Sequence, residues 1–492
     1  MIKALMGLDI GTTSAKAVMF DLSGIELSRA VSPPYSLNTP RTGWVEQDPE
    51  EVWQAVIAAI RAVVKQADPD PRVLAISIAA QSGSLLPADS GGNPVYPLIT
   101  WMDGRTHELV QQWQSEGLQE QVRTISGWSL YPGLCLPTIA WLRQHDEETF
   151  SAARHYFSVN DFIAHRLTGQ YCTNPSNGGG MQLVDLHTGE WSETLCTLVG
   201  ITADQLSPIQ PSGIVIGKIK PEISRITGLH PQTVLVNGGH DQGCTALGLG
   251  ITTPGKLLLA CGTAWVVTGV TASSNMQLVP AALDMNFHIV PKRWTISQSL
   301  GGLGASLEWW LNQVWRSNSS QVSRRDIIYA ALDNELAQTA PDLGLYFLPL
   351  TGGYDNPATT RRSGFTGLQL SHTRADMARA IMESAAFELR WALDAAQQAE
   401  LPVERLWMVG GASQSSHWPA ILANITGVPI FLPQYDNWPA LGAAILAGVG
   451  SNAYENIEDG LACFEKPTQK IVPDEALLSF YDNAFEIYME IA

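Results

Sequence analysis

Apolar and polar positions along this chain follow two rhythms. Residues 4–9 (Ala-Leu-Met-Gly-Leu-Asp) and 15–21 (Ala-Lys-Ala-Val-Met-Phe-Asp) are short, nearly unbroken apolar runs, the pattern of strands covered on both faces. Gly11-Thr12-Thr13-Ser14 between them reads as a turn, so the pair predicts a hairpin. A third strand follows through residues 25–32, with Gly24 at its turn. Residues 33–49, rich in Pro, Thr, Gly and Asp, read as a polar loop. Over residues 50–66 the rhythm changes to helical spacing. Acidic residues open that segment and Lys65 lies near its end, matching a helix dipole. Residues 73–79 return to a buried strand. Hairpin, strand, helix, strand is an α/β layer pattern.

The stretch from about residue 105 to 235 alternates helical segments with loops, and residues 174–180 (Asn-Pro-Ser-Asn-Gly-Gly-Gly) read as a flexible polar loop. A second half begins near residue 245. Residues 256–269 again read strand, Gly-Thr turn, strand, echoing residues 4–21. Two hairpins of one design half a chain apart suggest two related lobes with a ligand cleft between them. The alternative is two unrelated strands that share a turn chemistry.

Composition fits that picture. A chain of 492 residues calls for two large domains, and the expected division is 1–246 and 247–492. Hydrophobic residues make up 45% and charged residues 15%, enough apolar material for deep cores and against disorder. The formal net charge of −18 argues against nucleic acid as the main partner but leaves a nucleotide bound by backbone amides open. Six scattered cysteines with no C-x-x-C pair read as reduced and intracellular. With no leader pattern and no apolar run near the ~18 residues of a membrane span, a cytoplasmic protein without membrane attachment is expected.

Three segments carry chemistry. After Asp9, Gly11 lets backbone approach phosphate oxygens, Thr12 and Thr13 offer amides and hydroxyls, and Asp9 can hold Mg²⁺; a ligand-free hairpin is the alternative. In Asn237-Gly238-Gly239-His240-Asp241, flanking glycines clear space for Asp241 to take a proton from a hydroxyl. The alternative there is a helix N-cap. Trp407-Met-Val-Gly-Gly-Ala-Ser-Gln414 reads as a strand running into a nucleotide-binding turn, or as a plain tight turn. Gly250-Ile-Thr-Thr-Pro-Gly-Lys256 has the spacing of a P-loop, but Leu257 stands where Ser or Thr is needed and a strand follows instead of a helix. Serine-hydrolase and zinc-protease motifs are absent from the sequence.

Together these segments resemble the FGGY carbohydrate kinases of the actin-like ATPase superfamily, in order and over essentially the whole chain. Leu8-Asp9-Ile10-Gly11-Thr12-Thr13 and Ala260-Cys261-Gly262-Thr263 are similar to the two phosphate loops. Trp44-Val45-Glu46-Gln47-Asp48-Pro49 with Trp53, and Trp101-Met102-Asp103-Gly104-Arg105, resemble the family's W-x-E-Q-D-P…W and W-x-D-x-R segments. Gly238-Gly239-His240-Asp241 resembles the catalytic G-G-x-D, and Gly410-Gly411-Ala412-Ser413-Gln414-Ser415 with Trp418 the adenosine segment, followed by Pro439-Ala-Leu-Gly-Ala-Ala444. The resemblance implies an α/β fold of two RNase H-like (actin-like ATPase) domains flanking a cleft. It implies ATP and Mg²⁺ as cofactors, a small sugar as substrate, and it allows a homodimer. It makes Asp241 the general base and Asp9 the metal residue. Gly11, Thr12, Thr13, Gly262 and Thr263 would hold phosphates; Gly410, Gly411, Ala412 and Gln414 would lie by adenosine; Gln81, Ser82, Asp103 and Asp241 would meet the sugar.

The acceptor is read less directly. The motifs look most like xylulose kinases, with gluconate kinases close, which favours a ketopentose such as D-xylulose over gluconate, ribulose or a polyol. The chain departs from xylulose kinases at Gln81-Ser82-Gly83, where they carry Gln-Met-His, and at Thr138, where they carry Lys. Loss of the imidazole is expected to open volume. An aldonate would need a cation, for which Arg105 is the candidate, against the alternative of an outward helix arginine. A reading from another class is an actin-like nucleotide-binding regulator with no sugar base.

Overall fold

The structure, a computed structural model, describes residues 2–67, 71–262, 264–315, 325–350, 363–464 and 466–492, without the side chains of 325–327. Thr263 of the second phosphate loop lies outside the described residues.

The first sheet has six strands: β1 (Lys3–Ile10), β2 (Ala15–Asp21), β3 (Glu26–Val31), β4 (Arg72–Ala80), β5 (Val215–Lys218) and β6 (Val234–His240). Their order is β3-β2-β1-β4-β6-β5. The β1–β2 and β2–β3 pairs are antiparallel, β4 and β6 join in parallel, and β5 closes the edge antiparallel. Alternate residues of β1 feed two cores. Ala4, Met6 and Leu8 pack with α1 (Pro49–Gln66), whereas Leu5 faces the other way. Because both faces are covered, β1 reads as a continuous apolar run. Asp48 caps α1 through the amide of Glu50, Pro49 opens it, and Lys65 sits in its last turn.

The insertion between β4 and β5 is largely helical. Residues 174–180, expected to be a flexible polar loop, form a short buried helix, α2 (Pro175–Gly180), capped by the Asn174 side chain at the amide of Asn177. Its glycines are there for close packing: a Cβ on Gly179 would fall 2.0 Å from the Asn286 side chain. After β6, the helix α3 (Asp241–Gly248) leads into the second half.

The second sheet has β7 (Gly255–Cys261), β8 (Trp265–Thr271), β9 (Asp284–Phe287), β10 (Trp294–Gly301), β11 (Val403–Gly410), β12 (Ile430–Pro433) and β13 (Thr468–Ile471). Its order is β9-β10-β8-β7-β11-β12-β13. From β10 onward the sequence of antiparallel and parallel pairings repeats the first sheet strand for strand, down to the antiparallel edge. The long helix α4 (Arg374–Gln398) covers one face of it. The echo between residues 4–21 and 256–269 is therefore one unit of a whole-lobe duplication.

The expected division at 246/247 falls inside α3. The helix α5 (Trp438–Gly450), from the second half of the chain, packs on the first sheet and on α3. Contact is close enough that a Cβ on Gly7 of β1 would sit 1.7 Å from the Ala440 carbonyl oxygen, so position 7 admits nothing larger than glycine.

Candidate active site

In both sheets the central parallel strands end together, and their carboxyl ends bring loops to one edge, where α/β sheets bind ligands. In the first sheet Ile10, Ala80 and His240 are in register. The residues that follow, Gly11, Gln81 and Asp241, are therefore neighbours although they come from three distant parts of the chain. In the second sheet Cys261 is in register with Gly410, which sets Gly262 beside Gly411.

Asp241 is the first residue of α3, and His240 precedes it in an extended conformation, so the N-cap alternative does not describe it. Its Oδ1 accepts from the Gln242 amide at 2.6 Å and faces His240 Nε2 at 3.0 Å, and the side chain is 27% exposed. One oxygen is thus fixed, and the carboxylate still reaches solvent. His240 is held in turn: its amide donates to Ser176 Oγ of α2 at 3.0 Å, and Ser176 Oγ donates to Asn174 Oδ1 at 2.8 Å. The supposed loop thus holds His240 and, through it, the start of α3 at Asp241.

Asp9, at the end of β1, is nearly enclosed, with Lys16 Nζ 3.3 Å from Oδ2. Burial pushes its carboxyl up to about 6, Lys16 opposes the rise, and the negative charge of Asp241 adds to it. A buried carboxylate next to a second negative charge forms a site that a divalent cation suits, because the cation removes the repulsion. Asp9 and the adjacent turn fit Mg²⁺ on that ground. In the turn, the Gly11 carbonyl accepts from Tyr35 Oη, the Thr13 carbonyl accepts from the Tyr35 amide at 3.0 Å, and the Thr13 side chain is exposed. Thr12 accepts twice, at its carbonyl from Gln47 Nε2 at 2.6 Å and at Oγ1 from Trp101 Nε1 at 3.4 Å.

On the second lobe, Gly262, Gly410, Gly411 and Gln414 are exposed, and Ala412 is half-buried against the lobe's core. Residues Gly411–Gln414 form a single 3₁₀ turn after β11, with Ser413 Oγ donating to the Gly410 carbonyl at 2.7 Å. Lys256 of the P-loop look-alike opens β7 and donates to the Gly250 carbonyl at 2.9 Å, so it is a strand-end fixture.

Three expectations about the acceptor side need correction. Asp103 does not present a free carboxylate: its side chain is fully enclosed and accepts from Arg105 Nε at 2.8 Å, Arg105 Nη2 at 2.9 Å and the Val45 amide at 2.6 Å. Arg105 is neither an outward helix arginine nor a pocket cation. It also pairs with Glu46 at 2.6 Å, and its guanidinium stacks 3.9 Å from the Trp44 ring. Gly83 does not open volume. Its φ is +80°, and Leu134 Cδ2 lies 2.6 Å from where a Cβ would stand. Thr138, at the position of the relatives' lysine, is buried and donates to the Leu134 carbonyl at 2.7 Å. Gln81 is buried, and Ser82 Oγ is buried without a protein hydrogen-bond partner. Gln47, Ser84, Trp101 and Ser176 were not singled out as site residues. Their roles depend on contacts across 17 to 89 residues of chain, which local patterns do not report.

A duplicated actin-like α/β architecture, with the Asp241 carboxylate beside the Gly11-Thr12 turn at the carboxyl edge of the first sheet, points to a phosphotransferase class. Residues 4–248 match the N-terminal domain, and residues 257–451 the C-terminal domain, of the FGGY family of carbohydrate kinases, and the chain belongs to that family. It is 28% identical to an L-xylulose/3-keto-L-gulonate kinase of Escherichia coli across all of this chain and 97% of that one. It is 27% identical to a gluconokinase of Bacillus subtilis across all of this chain and 96% of that one. The crystal structure of a xylulose kinase from Rhodospirillum rubrum superimposes with a TM-score of 0.91 at 26% identity, covering 99% of this chain and 98% of that one. Among the described residues no helix is long and apolar enough to cross a membrane.

Proposed function

We propose that this kinase transfers the γ-phosphoryl group of ATP to a hydroxyl of a neutral ketopentose such as D-xylulose. The observation that carries the choice of acceptor is a charge census. Among the described cations beside the acceptor segment, Arg105 faces Asp103 and Glu46 and Lys16 faces Asp9, while Arg41 is exposed, 4.7 Å from the Trp44 ring. A carboxylate-bearing acceptor such as gluconate would meet the Asp9 and Asp241 carboxylates and would find Arg105 and Lys16 already engaged by carboxylates, which costs binding energy in a partly desolvated cleft.

Asp241 takes the proton of the acceptor hydroxyl as its oxygen attacks the γ-phosphorus. The bond to the β-phosphate bridging oxygen breaks and ADP leaves. Gln242 and His240 fix one carboxylate oxygen, leaving the other for the hydroxyl. Gly11, Thr12 and Thr13 from one lobe and Gly262 and Thr263 from the other cradle the phosphates. Gly410, Gly411, Ala412 and Gln414 receive the adenosine. Asp9 would hold Mg²⁺, which would supply charge neutralisation at the phosphates. Gln81 and Ser82 meet the sugar, and Asp103 acts through the backbone it fixes.

The test is an ADP-release screen with ATP and Mg²⁺ against D-xylulose, L-xylulose, D-ribulose, xylitol, glycerol and gluconate. D-xylulose or another ketopentose is expected to give the highest kcat/KM. If gluconate exceeds every ketopentose tenfold, the aldonate reading replaces this one. If no acceptor raises ADP release above background while ATP still binds, a nucleotide-binding regulator is the better description.

A further inference from the structure

Five residues from four separate segments close a ring of hydrogen bonds at the carboxyl edge of the first sheet. Gln47 Nε2 donates to the Thr12 carbonyl at 2.6 Å. Gln47 Oε1 accepts from Gln81 Nε2 at 3.3 Å. Gln81 Oε1 accepts from Ser84 Oγ at 3.3 Å. Ser84 Oγ accepts from the Trp101 amide at 3.2 Å. Trp101 Nε1 returns to Thr12 Oγ1 at 3.4 Å. The ring thus runs from the donor's phosphate turn through the segment assigned to the acceptor and back.

Its members differ in how freely they move. Gln47 is fully buried, and its backbone is locked: Glu46 and Gln47 pair with Ile99 and Leu98 as a two-stranded ribbon. The Asp103–Arg105–Glu46 cluster ties that ribbon to the turn bearing Trp101. Trp101, by contrast, is 44% exposed, where a ligand can touch it. One link is short and four are long. A long, correctly directed hydrogen bond has energy still to gain, and linked amides polarise one another, so tightening one link favours the next. A sugar that presses on Gln81–Ser84 or covers Trp101 would draw in the slack and fix the carbonyl and hydroxyl of Thr12.

We propose that Gln47 is a positioning residue that makes the phosphate turn and the acceptor segment one unit, so that an occupied acceptor site tightens the hold on nucleotide. This rests on the kinase reading above. Neither amide group reacts. Gln47 acts through Thr12 and Gln81, and its effect is a coupling between two ligands.

The experiment titrates the full chain with Mg²⁺ and a non-hydrolysable ATP analogue by calorimetry, with and without the sugar that performs best in the ADP-release screen. Wild-type protein is expected to bind the analogue at least ~5-fold more tightly with sugar present. Gln47→Leu is expected to bind it within ~2-fold of wild type without sugar, with the enhancement reduced below ~2-fold. Ser84→Ala, which opens the same ring at a residue with no ligand role, should do the same, and the double variant with Gln47→Leu should be no worse than either single one. Trp101→Phe opens the ring at its exposed link and serves where a buried substitution impairs folding. The proposal is overturned if wild type shows no enhancement, or if Gln47→Leu and Trp101→Phe both keep it. If the screen yields no acceptor, the kinase reading has failed separately. Amide hydrogen exchange over residues 11–14 then decides: it must speed up in Gln47→Leu, and unchanged protection sinks the ring.

Discussion

The two lobes share a strand order and a hairpin, yet they use the same positions for opposite purposes. Aligned on their turns, Asp9 of β1 corresponds to Ala260 of β7, and Gly7 to Leu258. The first lobe puts a buried carboxylate where the second has a methyl group. It puts glycine where a helix lies against the sheet, while the second lobe fills the same position with a buried leucine. Duplication supplies two glycine-threonine turns, and divergence places the acidic chemistry on one of them. Such asymmetry suits a reaction whose donor is polyanionic. A triphosphate can be met by backbone amides from both sides, but carboxylates on both sides would repel it.

That contrast can be broken from the base outward. Asp241→Asn removes the proton acceptor and should lower kcat by about 10²–10⁴. Nucleotide affinity, measured by titration, should stay within about twofold, because the carboxylate belongs to the acceptor side. Gly7→Ala forces a methyl group into the Ala440 carbonyl and should cost on the order of 3 kcal/mol. Chemical denaturation reads it, and an unchanged midpoint would show that α5 yields. A third prediction sets Asp9 against another buried carboxylate, Glu383 of α4, held by Arg379 and the Tyr481 hydroxyl inside the second lobe's scaffold. Burial pushes Glu383 up from 4.5 to about 7, opposed by Arg379 and Tyr481. Its folded-state pKa lies above its unfolded value. Between those two values the folded protein holds the extra proton, so stability is greatest below 4.5 and is lost as pH rises through about 7. Glu383→Gln should flatten that decline by on the order of 2 kcal/mol, seen as a smaller drop in melting temperature between pH 5 and pH 8. The smallest effect is expected from Ala260→Asp, which gives the second lobe the first lobe's charge. The KM for ATP should rise about tenfold with kcat changed less, and an unchanged KM would mean that phosphate does not pass near β7.

The hairpins, α1 and the first central strands were legible because each is a local rhythm: apolar runs for strands buried on both faces, and helical spacing that opens on acidic residues and ends near Lys65. The three carboxyl-end loops were legible because glycine and threonine mark turns by themselves. What stayed hidden was set by distant partners. Asp103 was read as substrate-facing and Arg105 as a pocket cation or an outward helix arginine, and nothing local reveals that Glu46, 59 positions from Arg105, closes a buried ion cluster around them. Three consecutive glycines in α2 imitated a flexible loop, because no local signal shows that Gly179 is small to let Asn286 approach and Gly180 to let Ser82 approach. Gly83 was read as lost volume, whereas Leu134 had already filled it.

The seating of α5 on the first sheet has a consequence for how the chain becomes a protein. A ribosome delivers the six strands of the first sheet long before it delivers residues 438–450, so Leu5, Val18, Phe20 and Val236 wait with one face bare. The first lobe cannot mature alone. A fragment ending near residue 250 should be sticky, because those side chains keep their bare face. Supplying the missing helix as a separate peptide is the way to recover the first lobe.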